Sequence, residues 1–424
     1  MKSVDLVVIG AGPAGLMCAW KAASLSRSRV LVLEKNSKPG KKLLVAGSGR
    51  CNLTNSAPLE TFFRSYGDSG RFVRPCLQNF PPSDLREFFE SRGLPLEKLN
   101  GGKMFPRSGK SSDVLRVLLS ACSAENAEIA LSERVVSIVR APGGFIVSTD
   151  KAEYGASCVA ITTGGSSWPV TGSTGDGFAL AAALGHSIVP PRPALAPVFP
   201  ARYDCASCAG YALEGVHASL WKNGRKAGER RGDALFTHDG LSGPLILDFS
   251  RDFAPGDEIR LDLGSLSAHD RPQGESGPRC MDSLLADLCA RFPKRTFANA
   301  VSSGLALSEA LVKVVFSRAG ADPSRTGAVL SKAERKAIAS VLAEFSFTIE
   351  RIGDFSVAMA TAGGVDVSEA NPKTMESRIV PGLHFAGEVL DVDGDTGGFN
   401  LQFAFSSGVL AAESAARILA SATS

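Results

Sequence analysis

Two glycine-rich segments near the start of the chain carry the residue types most able to do chemistry. In "VVIGAGPAGL", Gly10, Gly12 and Gly15 form G-x-G-x-x-G, with Pro13 and Ala14 between the last two glycines. The first glycine permits a tight turn. The second lets the backbone approach a pyrophosphate, and the third lets a helix pack on the preceding strand. Glu34 closes the next apolar run, "RVLVLEK", where a carboxylate accepts from unphosphorylated ribose hydroxyls. The spacing predicts a dinucleotide held at a helix N-terminus, as FAD or NAD would be.

The second segment, "VAGSGRCNLTN" (Val45 to Asn55), separates the two cofactors. An FAD is longer than NAD and needs chain running inward along it. Gly47 and Gly49 allow amides to approach the pyrophosphate or ribitol, and Arg50 offsets phosphate charge. Asn52 and Asn55 suit the polar edge of a flavin or the fixing of the loop. "SGKSS" at Ser108–Ser112 imitates a P-loop ending, but the position that needs the first Walker glycine is Met104, so ATP is excluded.

The elements that must position these residues are legible in outline. "DLVVI" and "RVLVLEK" read as buried parallel strands and "PAGLMCAWKAASL" as the helix between them, a βαβ unit over residues 5–35. Strands follow through "AEIALSERVVSIVRAPGGFIVSTDKAEYGASCVAITTGG", with a glycine turn at Gly143–Gly144. The proline-rich Val189–Pro200 marks a boundary. Beyond it come strand-like "HASLWKNG" and "DEIRLDL", a polar loop "GSLSAHDRPQGESGP", and helical segments near Met281–Phe292, Ala306–Arg318 and Ser331–Phe345. "FTIERIG" and "GLHFAGE" read as strands and "NLQFAFSSGVLAAESAARIL" as a final helix. The expected organisation is an α/β cofactor domain in two parts, 1–189 and 346–424, around an insert at 190–345.

Bulk composition bounds the partners. The 424-residue chain has a formal charge of +3, which permits an anionic substrate without implying nucleic acid. Nine irregularly spaced cysteines are no disulfide framework, so reduced thiols and a cytoplasmic location are expected. The longest uncharged stretch, Tyr154–Gly175, is too rich in Gly, Ser, Thr and Pro for a membrane helix. Cys205-x-x-Cys208 lacks a second ligand pair, so no metal is expected. The basic "KNGRKAGERRGD" at Lys222–Asp233 reads as a solvated hairpin rather than an RNA contact.

Several further motifs carry a resemblance. "PGKKLLVAGSGRCNLTN", "GKMFPRSGKSSDVL", "TTGGSSWPVTGSTGDGFALAAALGH", "LFTHDGLSGP" and "GLHFAGEVLDVDGDTGGFNLQFAFSSG" together resemble the BaiN-like (YhiN/RdsA-type, aminoacetone-oxidase) flavoproteins, from end to end. The resemblance implies a glutathione-reductase-like FAD-binding Rossmann domain interrupted by a β-barrel plus helices. It places Gly10, Gly12, Gly15, Glu34 and Lys35 on the ADP half, and Lys42, Gly49, Arg50, Cys51 and Asn52 along the ribitol and flavin. Val135 would meet the adenine. Thr163 and Gly164 would end a strand that reads T-T-G where A-T-G is usual. Gly387 and Glu388 replace the commoner G-D pair, and Gly398, Asn400 and Leu401 would open a helix facing the flavin.

The implied activity is NADPH- or NADH-driven reduction of an activated C=C bond, in a small enone or in uridine of ribosomal RNA. With no second G-x-G-x-x-G, the nicotinamide donor would bind transiently. An O2-using amine or aminoketone oxidase and a non-catalytic FAD protein with an RNA- or partner-docking insert are the alternatives. Cys51, His238 and Lys110 are the candidate proton donors. Flavin disulfide reductases carry a second cysteine where this chain has Ala46, so Cys51 has no dithiol partner. Nothing in the sequence fixes the oligomeric state.

Overall fold

The computed structural model describes residues 2–25, 28–266 and 277–422. The chain divides into two compact units, Met1–Ala194 with Phe355–Ser424, and Leu195–Asp354.

The first unit is built on a sheet whose apolar strands are buried on both faces. Strand Lys2–Ile9 lies parallel between Val30–Glu34 and Glu153–Ile161, with Leu6 opposite Val30 and Cys158. Glu128–Leu131 extends the sheet beyond Val30–Glu34, and Leu383–Phe385 pairs in parallel with Val159–Ile161. The hairpin Val135–Ala141 and Gly144–Thr149 adds antiparallel strands on the other flank, through Phe145–Ser148 opposite Glu153–Ala156. Leu6, Val7, Val8, Leu31, Val32 and Leu33 are all essentially inaccessible. Unbroken apolar runs of this kind are what a sheet covered on both faces requires.

Helix Pro13–Leu25 covers one face and is itself covered by the final helix, Phe399–Ala422. The crossing is close because Gly408 has no side chain: a Cβ there would lie 2.4 Å from the carbonyl oxygen of Ala14. The final helix is long and apolar enough to cross a membrane, but 67% of its apolar window is buried inside the protein. It serves as a core helix. Between residues 56 and 95, a segment the sequence reading passed over, three helices form: Leu59–Ser65, Gly70–Asn79 and Pro82–Glu90, the last two burying Phe72, Val73, Cys76, Leu77 and Leu85, Phe88, Phe89 at helical spacing.

The proline-rich passage forms a strand, Ile188–Ala194, antiparallel to Ala360–Val365. The register slips between Val189 and Arg192, where Pro190 and Pro191 offer no N–H. The second unit begins just after it. Six strands close a barrel in the order Val198–Pro200, Leu241–Ser242, Arg225–Phe236, Ala212–Lys222, Glu258–Asp262, Phe345–Ile352.

The basic run is the solvated strand of this barrel. Asn223 and Gly224, at φ 50° and 73°, make the tight turn, and Ala234 and Phe236 point inward. Of its cations, Lys226 pairs with Glu229, Lys222 with Asp257, Arg231 donates to the Gly215 carbonyl at 2.8 Å, and Arg230 lies over the Phe249 ring.

Among the described residues, four helices follow rather than the three expected: Pro278–Arg291, Phe297–Leu305, Glu309–Arg318 and Lys332–Ala343. The sequence reading passed over Phe297–Leu305, although its buried Phe297, Ala300, Val301 and Leu305 recur at helical spacing. The expected helix start at Ala306 is displaced, since Ala306 is left-handed (φ 53°) and Ser308 caps the next helix by accepting from Leu311 N–H. The polar stretch 264–278 lies mostly outside the described residues.

Candidate cofactor and active site

Local chain geometry builds a cradle at the C-terminal ends of the parallel strands. Gly10 turns at φ 105°, and a Cβ there would meet the Thr162 carbonyl oxygen at 2.9 Å. At Gly15 a Cβ would lie only 1.9 Å from the Gly10 carbonyl oxygen, so helix and strand are in backbone contact. Gly12 is the opposite case, because a Cβ there would meet no protein atom within 4 Å. The one unfilled position is the one the fingerprint assigns to a passing pyrophosphate.

A cavity of about 220 Å³ runs from this cradle in both directions. Toward one side it meets Glu34, Lys35 and Val135; around the turn, Gly10, Gly12, Pro13, Ala14, Thr163 and Gly164. Toward the other side it meets Lys42, Gly387, Glu388, Asn400 and Leu401.

Glu34 is nearly buried, and its Oε2 accepts from the amide of Ala11 at 2.9 Å. Its Oε1 accepts from the amide and the side-chain nitrogen of Asn36, both at 2.8 Å. Three donors hold the side chain in place with both oxygens turned to accept. Lys35 turns aside to Asp176 at 2.8 Å and donates to Thr174. Burial works to raise the Asp176 carboxyl. The hydrogen bonds from Lys35 and Thr174, with the charges of Lys35 and Arg134, outweigh it and hold Asp176 below the usual carboxylate range.

At the far end Lys42 donates to Glu388 Oε2 at 2.6 Å and also to the Ser167 hydroxyl. Asn400 fastens the loop before the final helix, accepting from Gly394 N–H at 2.8 Å and donating to its carbonyl at 2.9 Å. The first-turn amides of that helix have no intrahelical acceptor, so a partial positive charge faces this end of the cavity.

Other expected residues lie off the cavity wall. Gly15 is spent on packing. Gly398 is pressed against the backbone of Thr54, where a Cβ would sit 2.5 Å from its carbonyl oxygen. In the second glycine loop only Ala46 reaches the wall. Gly49 accepts at its carbonyl from Ser111 N–H, and exposed Arg50 stacks over the Phe105 ring at 4.9 Å. Cys51 is fully buried at φ 63°, and burial pushes its thiol well above the ordinary range, so it is poorly suited to release a proton. Asn52 Oδ1 is buried with no hydrogen-bond partner. Lys110 is exposed at the start of helix Ser111–Ala124, and His238 is exposed in a turn of the barrel unit.

Residues missed by the sequence reading include Asn36, Asp176, Glu133 and Ser167. Asp176 sits in the motif "TGSTGDG", whose clustered glycines were the available signal. A further constellation also escaped notice: His186 lies between Glu369 (3.0 Å) and Ser377 (2.8 Å), in the order acid, imidazole, hydroxyl. Ser377 Oγ is buried and already accepts from the amides of Ile379 and Val380, so this group is a structural latch rather than a nucleophile.

The family described as HI0933-like protein Rossmann domain matches residues 4–414. The chain belongs to this family. It is 30% identical over 413 residues to the ribosomal RNA dihydrouridine synthase of Escherichia coli K12, covering 96% of each chain. It is 31% identical over 416 residues to the 3-dehydro-bile acid delta(4,6)-reductase of Clostridium scindens, covering 96% of this chain and 98% of that one. Among solved structures, 3-ketosteroid delta1-dehydrogenase from Sterolibacterium denitrificans superposes with a TM-score of 0.52 at 12% identity, covering 99% of this chain and 100% of that one. That likeness is one of fold.

Proposed function

We propose that the cavity binds FAD and that the protein is an FAD-dependent reductase of C=C bonds conjugated to a carbonyl, driven by NADPH or NADH. The observation that carries the reading is the open position at Gly12, set between a fixed ribose-accepting carboxylate at Glu34 and a charged far end at Lys42 and Glu388. A dinucleotide with a second functional half spans such a cavity. Backbone at Gly12 and the N-terminus of helix Pro13–Leu25 would receive the phosphates, Glu34 the adenosine ribose, and Val135 the adenine face.

Bound FAD supplies hydride transfer to an electron-poor carbon. The chain's own residues hold the cofactor, and the first turn of helix Phe399–Ala422 offers its amides to negative charge. The full-length relatives support the acceptor class. Uridine and a bile-acid dienone share an unsaturated carbon conjugated with a carbonyl, the arrangement that accepts hydride and then a proton. The relatives' substrates offer two settings, ribosomal RNA and a small bile-acid enone.

The test is the anaerobic visible spectrum of the purified protein as NADPH or NADH is added, followed by acceptor. Flavin bands that bleach with the donor and return on adding uridine-containing ribosomal RNA, or a steroid-like enone, support the reading and identify which setting applies. Absence of flavin binding refutes it. Recovery only with O2, with peroxide released, would assign an oxidase instead.

A further inference from the structure

Four segments far apart in sequence meet at the Lys42 end of the cavity. Lys42 is 346 residues from Glu388, yet their charged atoms lie 2.6 Å apart, with about a quarter and a fifth of their side chains exposed. Ser167, wholly buried, receives a hydrogen bond from Lys42 and donates to Glu388 Oε1 at 3.0 Å. Thr361, also wholly buried, organises the base of the cluster. Its hydroxyl oxygen accepts from the amides of Ser166 (2.8 Å) and Ser167 (3.0 Å), and its own amide donates to Glu388 Oε1 at 2.8 Å. Gly165 lets the two segments touch, because a Cβ there would fall 2.4 Å from the Thr361 hydroxyl oxygen.

The division of donors is uneven. Glu388 accepts from Lys42, Ser167 and Thr361, so both of its oxygens are engaged by protein. Lys42 uses two of its three N–H groups on Ser167 and Glu388. Both charged side chains line the cavity, so its occupant sees a fixed dipole of opposite charges. A half-buried charge acts more strongly on its neighbours than one in water.

We propose that Lys42 and Glu388 form a built charge pair that sets the electron affinity of the bound flavin, with Ser167 and Thr361 as positioning residues that hold the pair in register. This rests on the FAD reading above. Lys42 favours the reduced, more negative cofactor; Glu388 opposes it and holds the ammonium in place. Removing either charge therefore shifts the equilibrium between oxidised and reduced cofactor in opposite directions.

The test compares the holoprotein with Lys42→Met, Glu388→Gln, Lys42→Arg and Ser167→Ala, each reduced in equilibrium with a reference dye. Lys42→Met is expected to disfavour reduction by tenfold or more, which for a two-electron couple is a fall of about 30 mV per tenfold. Glu388→Gln is expected to move it the other way. Lys42→Arg should restore most of the wild-type value, and Ser167→Ala should give a smaller shift.

Equal potentials in the wild type, Lys42→Met and Glu388→Gln overturn the inference while leaving FAD binding intact. Shifts of the same sign in both variants also overturn it, since a merely structural role has no reason to invert. If Lys42→Met does not retain flavin, the pairing of Glu388→Gln with Lys42→Arg decides: a raised potential in the first and an unchanged one in the second support the proposal, and any other pattern overturns it. A wild-type protein that binds no flavin fails the underlying reading, and this inference with it.

Discussion

Gly12 offers a clean separation of folding from binding. Its backbone is outside the left-handed region, and its carbonyl accepts from Leu16 N–H at 2.9 Å as helix Pro13–Leu25 begins. A methyl group there meets no protein atom within 4 Å. Gly12→Ala therefore introduces no clash. It gains about 0.4–1 kcal/mol from a less flexible unfolded chain and loses a similar amount because alanine caps helices poorly. The net change in apo-protein stability should be within about 0.5 kcal/mol.

On the FAD reading proposed above, the same methyl group enters the space the pyrophosphate would need. Forcing one carbon into a filled contact costs about 1–3 kcal/mol. FAD affinity should fall about 5- to 150-fold. Gly15→Ala is the contrasting case: its Cβ would sit 1.9 Å from a backbone oxygen, so folding itself should suffer. Urea midpoints of flavin-free protein and fluorescence titrations with FAD measure the two quantities separately. Unchanged FAD affinity in Gly12→Ala, at unchanged stability, would refute the assignment of this turn to the phosphates.

Two other predictions follow from buried titratable groups. Burial pushes the His384 imidazole, fully enclosed, from its ordinary 6.5 down to about 4, against a smaller raising influence of Glu376. The unfolded chain then binds a proton that the folded one refuses, so stability is full above pH 6.5 and about 3 kcal/mol is lost as pH falls to about 4. His384→Gln should remove that share of the pH dependence, read as the difference between wild-type and variant urea midpoints across pH 4–7. Cys51→Ala should retain donor-driven flavin reduction and acceptor turnover, far short of the 10²- to 10⁴-fold loss that follows removal of a general acid; Cys51 in the folded protein should resist alkylation until denaturant is added.

What was legible in the sequence was what neighbouring residues encode among themselves. Helix Pro13–Leu25 was readable because proline suits its first turn and an apolar run stops at a glycine just before it. The strand ends that form the cradle were readable for the same reason. At the charged far end, Lys42 and Glu388 came with the resemblance alone, and their pairing through Ser167 and Thr361 was not readable, because these four residues have no local pattern in common and meet only through the fold. Arg50 illustrates the converse difficulty. Glycines around it announced a loop at the right place, but composition does not say which way a side chain leaves the backbone, and Arg50 stacks on Phe105 instead of facing the cavity. The expected strand–loop division was similarly blurred at Val189–Pro200, since prolines that suggest a break are tolerated where the partner strand carries Gly363 and Gly364.

The placement of the second glycine loop gives it a mechanical task. Gly47, Ser48, Gly49 and Cys51 all lie at positive φ, so the chain folds back sharply enough for Cys51 N–H to reach the Ala46 carbonyl at 2.9 Å. Strain at Ser48 and Cys51 persists only where surrounding structure holds it. The turn delivers Thr54 and Asn55 against the far end of the chain: Asn55 donates to the carbonyls of Gly101 and Gly397, both at 3.1 Å, and Gly398 packs on Thr54. Tyr66 adds a hydrogen bond to the Phe399 carbonyl at 2.7 Å. These contacts fix where helix Phe399–Ala422 begins, and Asn400 and Leu401 in its first turn line the cavity. The loop thus acts through the helix it anchors. The same logic explains why so conformationally demanding a sequence lies away from the cavity wall: its glycines serve the turn, and the turn sets the position of amides supplied by residues almost 350 positions later.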